Sequence, residues 1–203
     1  MENEILKIAK SIQAISQTGI RFTKDNFDKQ RFEELRELSV RLVAQIADSN
    51  IEKIRDLFTC ETGFQTPKID IRAVVVEKGR LLLTKENSDN KWSLPGGYAD
   101  INYSPSEIAE KEVFEETGLK VKTNRILAII DTNKHSFPPL EYHFYKIVIL
   151  CDLIEGELRG SDETEESDFF DFNNLPELSL KRNTYELIDL IKQGIEHRET
   201  YID

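Results

Sequence analysis

The hydrophobic period of this chain changes near Gly63, and any fold must accommodate both halves of that change. Before it, apolar residues recur at helical spacing. Ile5, Ile8, Ile12 and Ile15 make a stripe with Leu6 and Ala9 beside them, and Gly19 reads as a stop. Phe32, Leu35, Val40, Leu42, Val43 and Ile46 continue the pattern over roughly residues 25–48. A third helix starts at Ser49, with Glu52 as its capping-box partner, and carries Ile51, Ile54, Leu57 and Phe58. Three short amphipathic helices build little core alone, so they must pack on the remainder of the chain or on a second subunit.

After Gly63 the run Ile69 to Val76 is β-branched, and Glu77-Lys78-Gly79 turns into a second strand, Arg80 to Thr84. Trp92-Ser93-Leu94 is short and extended before Pro95-Gly96-Gly97 breaks it. A helix over Pro105–Thr117 follows, then strands at Ile126–Ile130, Tyr142–Leu150 and Phe169–Phe172. A last helix covers Thr184–Lys192, with Asn183 and Glu186 as its capping box. This order predicts an α/β fold, a mixed sheet with helices on both faces. The net charge of −11 disfavours nucleic acid held on a basic face. It is unevenly spread: residues 1–58 hold ten acids and ten bases, so the deficit lies downstream. No apolar run reaches the ~18 residues of a membrane span, and the charged N-terminus does not read as a secretory signal. Two cysteines without ligand spacing, Cys60 and Cys151, read as free thiols of a cytoplasmic protein.

The helix over Pro105–Thr117 is unusually well specified at its ends. Ser104 is its N-cap, Pro105 its first residue, Glu107 closes the box and Gly118 stops it. Its interior breaks local rules. Glu112, Glu115 and Glu116 share one face, where like charges cost ~0.2–0.5 kcal/mol per pair. Two of them sit in the last turn, where the helix dipole disfavours anions by ~0.3–1 kcal/mol each. Local rules tend to fail at functional positions. Three convergent carboxylates below a glycine loop suit a hard divalent cation; a solvated acidic face is the plainer reading of the same residues.

These residues resemble the Nudix hydrolases, whose box reads G-x5-E-x7-R-E-U-x-E-E-x-G-U with U aliphatic. Gly97 opens the box, Glu112-Val113-Phe114-Glu115-Glu116 fills its centre, and Gly118-Leu119 closes it. Tyr103 stands where the first glutamate belongs, and Lys111 replaces the arginine. The helical extension, the stretch Glu61 to Arg72 and the Gly96-Gly97-Tyr98-Ala99-Asp100 run are similar to a subgroup of ADP-ribose or CDP-choline pyrophosphatases. The resemblance implies a Nudix α/β/α sandwich over 67–203, preceded by a helical segment, 1–62, that forms a homodimer.

It also implies a reaction. Water attacks one phosphorus of a nucleoside diphosphate linked to a second group, giving a nucleoside monophosphate and a phosphorylated product. Mg²⁺, with Mn²⁺ as the alternative, neutralises the pyrophosphate. Glu112, Glu115 and Glu116 are its implied ligands, with the Gly96 carbonyl. Glu112 is the candidate base; Glu166, from the acidic run Glu163, Glu165, Glu166 and Asp168, is the alternative. Arg72 holds a substrate phosphate or makes a surface salt bridge. Trp92 and Tyr98 stack on a base or line its pocket, with core packing the plainer role for Trp92. His135, His143 and His197 share no spacing and read as structural or surface residues. Other Nudix substrates, such as nucleoside triphosphates or capped RNA, remain open, as does a ligand-binding sensor. The intact Glu-Glu pair weighs against the sensor.

Overall fold

A computed structural model describes residues 4–46, 50–59, 63–160 and 164–203. The chain forms two compact units. One comprises Met1–Pro67 with Pro138–His143, and the other Lys68–Phe137 with Phe144–Asp203.

The first unit contains α1 (Glu4–Phe22), α2 (Asn26–Ile46) and α3 (Ile51–Thr59). Leu6 and Ala9 near the start of α1 share a buried cluster with Val40 and Val43 near the end of α2, joined by Ile54 of α3. At the other end, the Phe32 ring packs on Gly19, so α1 and α2 form an antiparallel hairpin. A Cβ at Gly19 would lie 2.5 Å from that ring. Gly19 is therefore no helix stop; α1 runs on to Phe22, and the glycine permits close approach. The face of α1 buried in this unit is also not the isoleucine stripe. Leu6, Ala9, Gln13, Ser16 and Gln17 are buried, whereas Ile5, Ile8 and Ile15 are 52%, 49% and 64% exposed. The inner face mixes Leu6, small residues and two glutamines, and these isoleucines remain outside it. Asn50 Oδ1 accepts from Glu52 N at 2.7 Å at the start of α3. Ser49, expected to cap it, lies outside the described residues, as does Cys60.

The second unit is a mixed sheet of seven strands with two helices. Its strands are β1 (Lys68–Glu77), β2 (Arg80–Glu86), β3 (Trp92–Ser93), β4 (Lys120–Asp131), β5 (Phe144–Glu155), β6 (Thr164–Asp171) and β7 (Tyr201–Ile202). The order is β3-β2-β1-β5-β4-β7, with β6 pairing β2 off this path. β1 runs parallel to β5 and antiparallel to β2, and β7 pairs parallel with β4. Helix α4 (Pro105–Thr117) lays Ile108, Ala109 and Val113 on Ile71, Ala73 and Val75 of β1, with Ile149 and Cys151 of β5 beneath. Helix α5 (Tyr185–His197) packs on β4, with Gly194 against Leu127, which is outside the α4 cluster.

Several boundaries differ from the sequence reading. β4 begins right after α4, and β6 starts at Thr164 despite its acidic composition, because pairing with β2 outweighs local propensity. Thr184, not Asn183, caps α5: its side chain accepts from Leu187 N. Asn183 instead accepts from Leu94 N at 2.9 Å, and Glu186 accepts from Ser136 N. Among the described residues no helix is long and apolar enough to cross a membrane.

Candidate active site

The capping of α4 is as its sequence predicts. Ser104 accepts from Glu107 N, Glu107 reaches back to Ser104 N, and Gly118 ends the helix at φ 77°. Thr164 and Ser167 of β6 then donate their hydroxyls to the Glu116 carbonyl, at 2.9 and 3.4 Å. The last turn, and its glutamates, are thereby tied to the sheet.

Opposite that turn lies the loop Leu94–Ala99, stitched to β1. Ala73 N donates to Pro95 O, Ile71 N to Gly97 O and Ala99 N to Ile69 O, at 2.8–3.0 Å. Gly96 takes φ +139°, and a Cβ there would lie 2.1 Å from Ile71 O. Only glycine fits this backbone. The result is that Gly96 N points at α4 and donates to Glu116 Oε1 at 3.2 Å. Thr84 Oγ1 of β2 donates to Glu116 Oε2 at 3.0 Å.

Glu116 is 6% exposed. Burial pushes its carboxyl up to about 7; the Glu112 charge adds to this, and Arg72, Gly96 N–H and Thr84 oppose it. Glu112 lies over the second glycine: a Cβ on Gly97 would meet its Oε2 at 3.3 Å. Glu115 is more exposed, with 57% of its side chain open. Lys111 Nζ lies 3.6 Å from both Glu112 Oε1 and Glu115 Oε2, and 3.1 Å from Asp100 Oδ2. Its hydrogen bond to Asp100 and the neighbouring carboxylates hold its ammonium up at about 12. The box lysine therefore does the work of a charge neutraliser among these carboxylates.

Among the described residues no three acid, histidine or cysteine side chains are gathered tightly enough to hold a metal as they stand. The donor set nonetheless suits one. Its atoms are hard oxygens, and a cation, the Lys111 ammonium, already lies between Glu112 and Glu115.

The remaining predicted residues fall into different places. Arg72 is not a surface salt bridge. It is 5% exposed, with Nε donating to Asp70 Oδ1 and Nη1 to Leu94 O, both at 3.0 Å. Its guanidinium thus supports the glycine loop from below. Trp92 is half-buried, edge-on to Phe170 at 4.6 Å, in keeping with packing. Tyr98 is 63% exposed and stacks on Phe144 at 5.6 Å. Glu166 is exposed on β6, between Thr164 and Ser167, whose hydroxyls meet the Glu116 carbonyl. Glu163 lies outside the described residues.

Sequence reasoning missed Thr84, Asp70 and Lys146. Lys146 of β5 is 2% exposed and hydrogen-bonds Asp70 Oδ2, so Asp70 joins Arg72 and Lys146 in a buried ionic triad. Burial pushes the Lys146 ammonium down to about 8. Burial also opposes ionisation of Asp70, but Arg72 and Lys146 hold its carboxyl below the usual range. The available signal was a charge inside an apolar strand, Ile69-Asp70-Ile71 and Tyr145-Lys146-Ile147. Asp70→Ala leaves two buried cations without a counter-charge. It is expected to cost about 3–5 kcal/mol in urea denaturation; a loss below about 1 kcal/mol would show that the triad is not what holds β1 to β5.

The decisive likeness is to a family model of the NUDIX domain, which matches residues 66–191. The chain belongs to the Nudix family. It is a hydrolase acting on pyrophosphate bonds. A second model, the UDP-X-like N-terminal oligomerisation domain, matches residues 3–58. YjhB of Bacillus subtilis (strain 168), whose name provisionally assigns it as an ADP-ribose pyrophosphatase, is 41% identical over 97% of this chain and 95% of its own. A crystal structure of UDP-X diphosphatase has a TM-score of 0.65 at 35% identity, covering 98% of both chains. An ADP-ribose pyrophosphatase from Streptococcus suis 89-1591 has a TM-score of 0.62 at 41% identity, over 68% of this chain and all of its own.

Proposed function

We propose that this Nudix hydrolase cleaves the diphosphate of a nucleoside diphosphate joined to a second group, of the ADP-ribose, UDP-X or CDP-choline type. We also propose that it acts with Mg²⁺, as a cytoplasmic homodimer. The observation that carries the reading is the likeness along nearly the whole chain to a UDP-X diphosphatase, with both the oligomerisation domain and the Nudix domain included.

In this reading Glu112, Glu115 and Glu116 hold the metal with the Gly96 carbonyl. A bound divalent cation supplies neutralisation of the pyrophosphate charge and acidifies water. Gly96 N–H and Thr84 Oγ1 fix both oxygens of Glu116, so the carboxylate is oriented before substrate arrives. Glu112, over Gly97, takes the proton of the attacking water. Water adds to one phosphorus, the bridging P–O bond breaks, and a monophosphate leaves with each half. Tyr98, exposed beside the loop, offers its ring to the base.

The deciding experiment is a substrate panel with Mg²⁺ in ¹⁸O water, read by mass spectrometry. It contains ADP-ribose, UDP-sugars, CDP-choline and nucleoside triphosphates. Turnover of one diphosphate diester names the substrate, and the labelled product names the attacked phosphorus. Selective turnover of triphosphates would overturn the reading.

The isoleucine face of α1 supports the subunit contact. Ile5, Ile8 and Ile15 are exposed in a segment matched by an oligomerisation model. Ile8→Glu with Ile15→Glu is expected to convert the protein to monomer in light scattering while helicity by circular dichroism is kept. An unchanged mass would place the contact elsewhere.

A further inference from the structure

The glycine loop has a support besides β1, in the residues that lead into α5. Residues 177–183 run beside β3. Trp92 N donates to Glu177 O at 3.0 Å, and Ser179 N to Trp92 O at 2.8 Å, with Trp92 and Leu178 bridged in parallel. Side chains fasten the same segment. Ser179 Oγ donates to Asp89 Oδ2 at 2.7 Å, and Arg182 Nε lies 2.8 Å from Glu86 Oε1.

Two residues on from Trp92, a side chain takes over from backbone as the acceptor. Leu94 N donates to Asn183 Oδ1 at 2.9 Å. A backbone N–H can only donate, so the oxygen of the amide is the atom that faces it. Asn183 is fully buried, and its Nδ2 makes no hydrogen bond among the described residues. The working atom of this side chain is therefore its oxygen. The carbonyl of the same Leu94 accepts from Arg72 Nη1 at 3.0 Å. Both polar backbone groups of Leu94 are thus held by buried side chains, one from β1 and one from the residue before Thr184, the cap of α5.

The setting of Leu94 passes directly to the site. Pro95 fixes its own φ and confines the residue before it to extended backbone, so the link from Leu94 to Gly96 is stiff. Gly96 N, two residues past the clamp, donates to Glu116 Oε1 at 3.2 Å. Among the described residues, the other hydrogen bonds of residues 94–97 go to β1 or to Glu116. Asn183 is the partner that ties this stretch to α5 instead.

We infer that Asn183 is a positioning residue of the hydrolytic site. Its side-chain oxygen sets Leu94 and, through Pro95, aims Gly96 N–H at Glu116. The inference rests on the reading of the glycine loop and α4 as the place that holds the metal.

The test uses the full chain. Amide resonances are read by ¹⁵N NMR in EDTA, and Mn²⁺ binding is followed separately by electron paramagnetic resonance. Asn183→Leu keeps the branched shape and removes the acceptor. It is expected to move the Gly96 amide proton upfield, as its bond to Glu116 lengthens, while amides of α1 and β5 stay in place. Mn²⁺ binding should weaken roughly 10–100-fold, the usual cost of losing a group that orients a metal ligand. Asn183→Asp returns an oxygen to Leu94 N, and its second oxygen replaces a nitrogen that had no partner. It is expected to bring both the Gly96 resonance and the Mn²⁺ affinity back toward those of the parent. Should neither variant fold, the parent decides: Leu94 N–H is expected to resist hydrogen exchange as strongly as Ala73 N–H of β1, and fast exchange at Leu94 would overturn the inference. So would a Gly96 amide unmoved in folded Asn183→Leu, equal shifts in Asn183→Leu and Asn183→Asp, or Mn²⁺ affinity kept in Asn183→Leu but lost in Glu116→Gln. Mn²⁺ binding that Glu116→Gln leaves unaffected would instead remove the metal reading, and the Gly96 amide, read without metal, would still decide the role of Asn183.

Discussion

Glu116→Gln is expected to reduce metal-dependent turnover by on the order of 100-fold or more, since even residues that only orient metal ligands are worth roughly 10–100-fold. The protein should remain folded. A glutamine amide can still accept from Gly96 N with its oxygen and donate to Thr84 Oγ1 with its nitrogen, so neither partner is orphaned. Stability should move in a direction opposite to most buried substitutions. Burial holds the folded-state pKa of Glu116 up at about 7, above the ordinary carboxyl value of 4.5. Between those values the folded protein holds a proton that the unfolded chain has lost. Stability therefore falls as pH rises through this window, and the deficit is complete above it. The gap corresponds to at most about 3 kcal/mol. In EDTA the variant should accordingly resist urea better than the parent at pH 8, and the two should converge near pH 4. A folded variant with near-normal activity would remove Glu116 from the site. A variant less stable than its parent at pH 8 would show that the carboxylate is not strained.

Gly96→Ala should be the most damaging change to the loop. The residue has φ +139°, and an added Cβ would stand 2.1 Å from the Ile71 carbonyl, a backbone atom of β1 that cannot swing aside. The loop must lift from the strand, breaking the bonds from Ile71 N to Gly97 O and from Ala73 N to Pro95 O. Gly96 N then no longer reaches Glu116. We expect a loss of about 3 kcal/mol or more in stability and activity at or below that of Glu116→Gln. A variant within about 1 kcal/mol of the parent would mean that the loop has a second resting position. Gly97→Ala is the control, because its Cβ would meet the end of the Glu112 side chain at 3.3 Å rather than backbone. It should retain the fold and lose activity by displacing that carboxylate.

Much of this protein could be read along the chain because the controlling interactions are local. The two ends of α4 are set by Ser104, Pro105, Glu107 and Gly118, all within the helix or beside it, and the structure keeps each in that role. The conflict between those caps and Glu112, Glu115 and Glu116 is likewise visible in sequence, since like charges at helical spacing need no tertiary partner to repel. The change from helical to strand periodicity near Gly63 separates the same two regions that the two family models match.

Other features depended on residues far apart. Which face of α1 turns inward was decided by its packing on α2, so that Leu6, Ala9 and Ser16 are buried while Ile5, Ile8 and Ile15 are exposed. Asn183 and Glu186 read as a capping pair, yet each found a partner elsewhere, Leu94 N and Ser136 N. Thr84 looks like any strand threonine until β2 places it under α4. Arg72, Asp70 and Lys146 come from two strands that are neighbours only because β1 and β5 pair in parallel. A charge buried in a sheet is tolerable only with a counter-charge at hydrogen-bonding distance. Sequence therefore marks where such a charge sits, and only the pairing of strands decides what neutralises it.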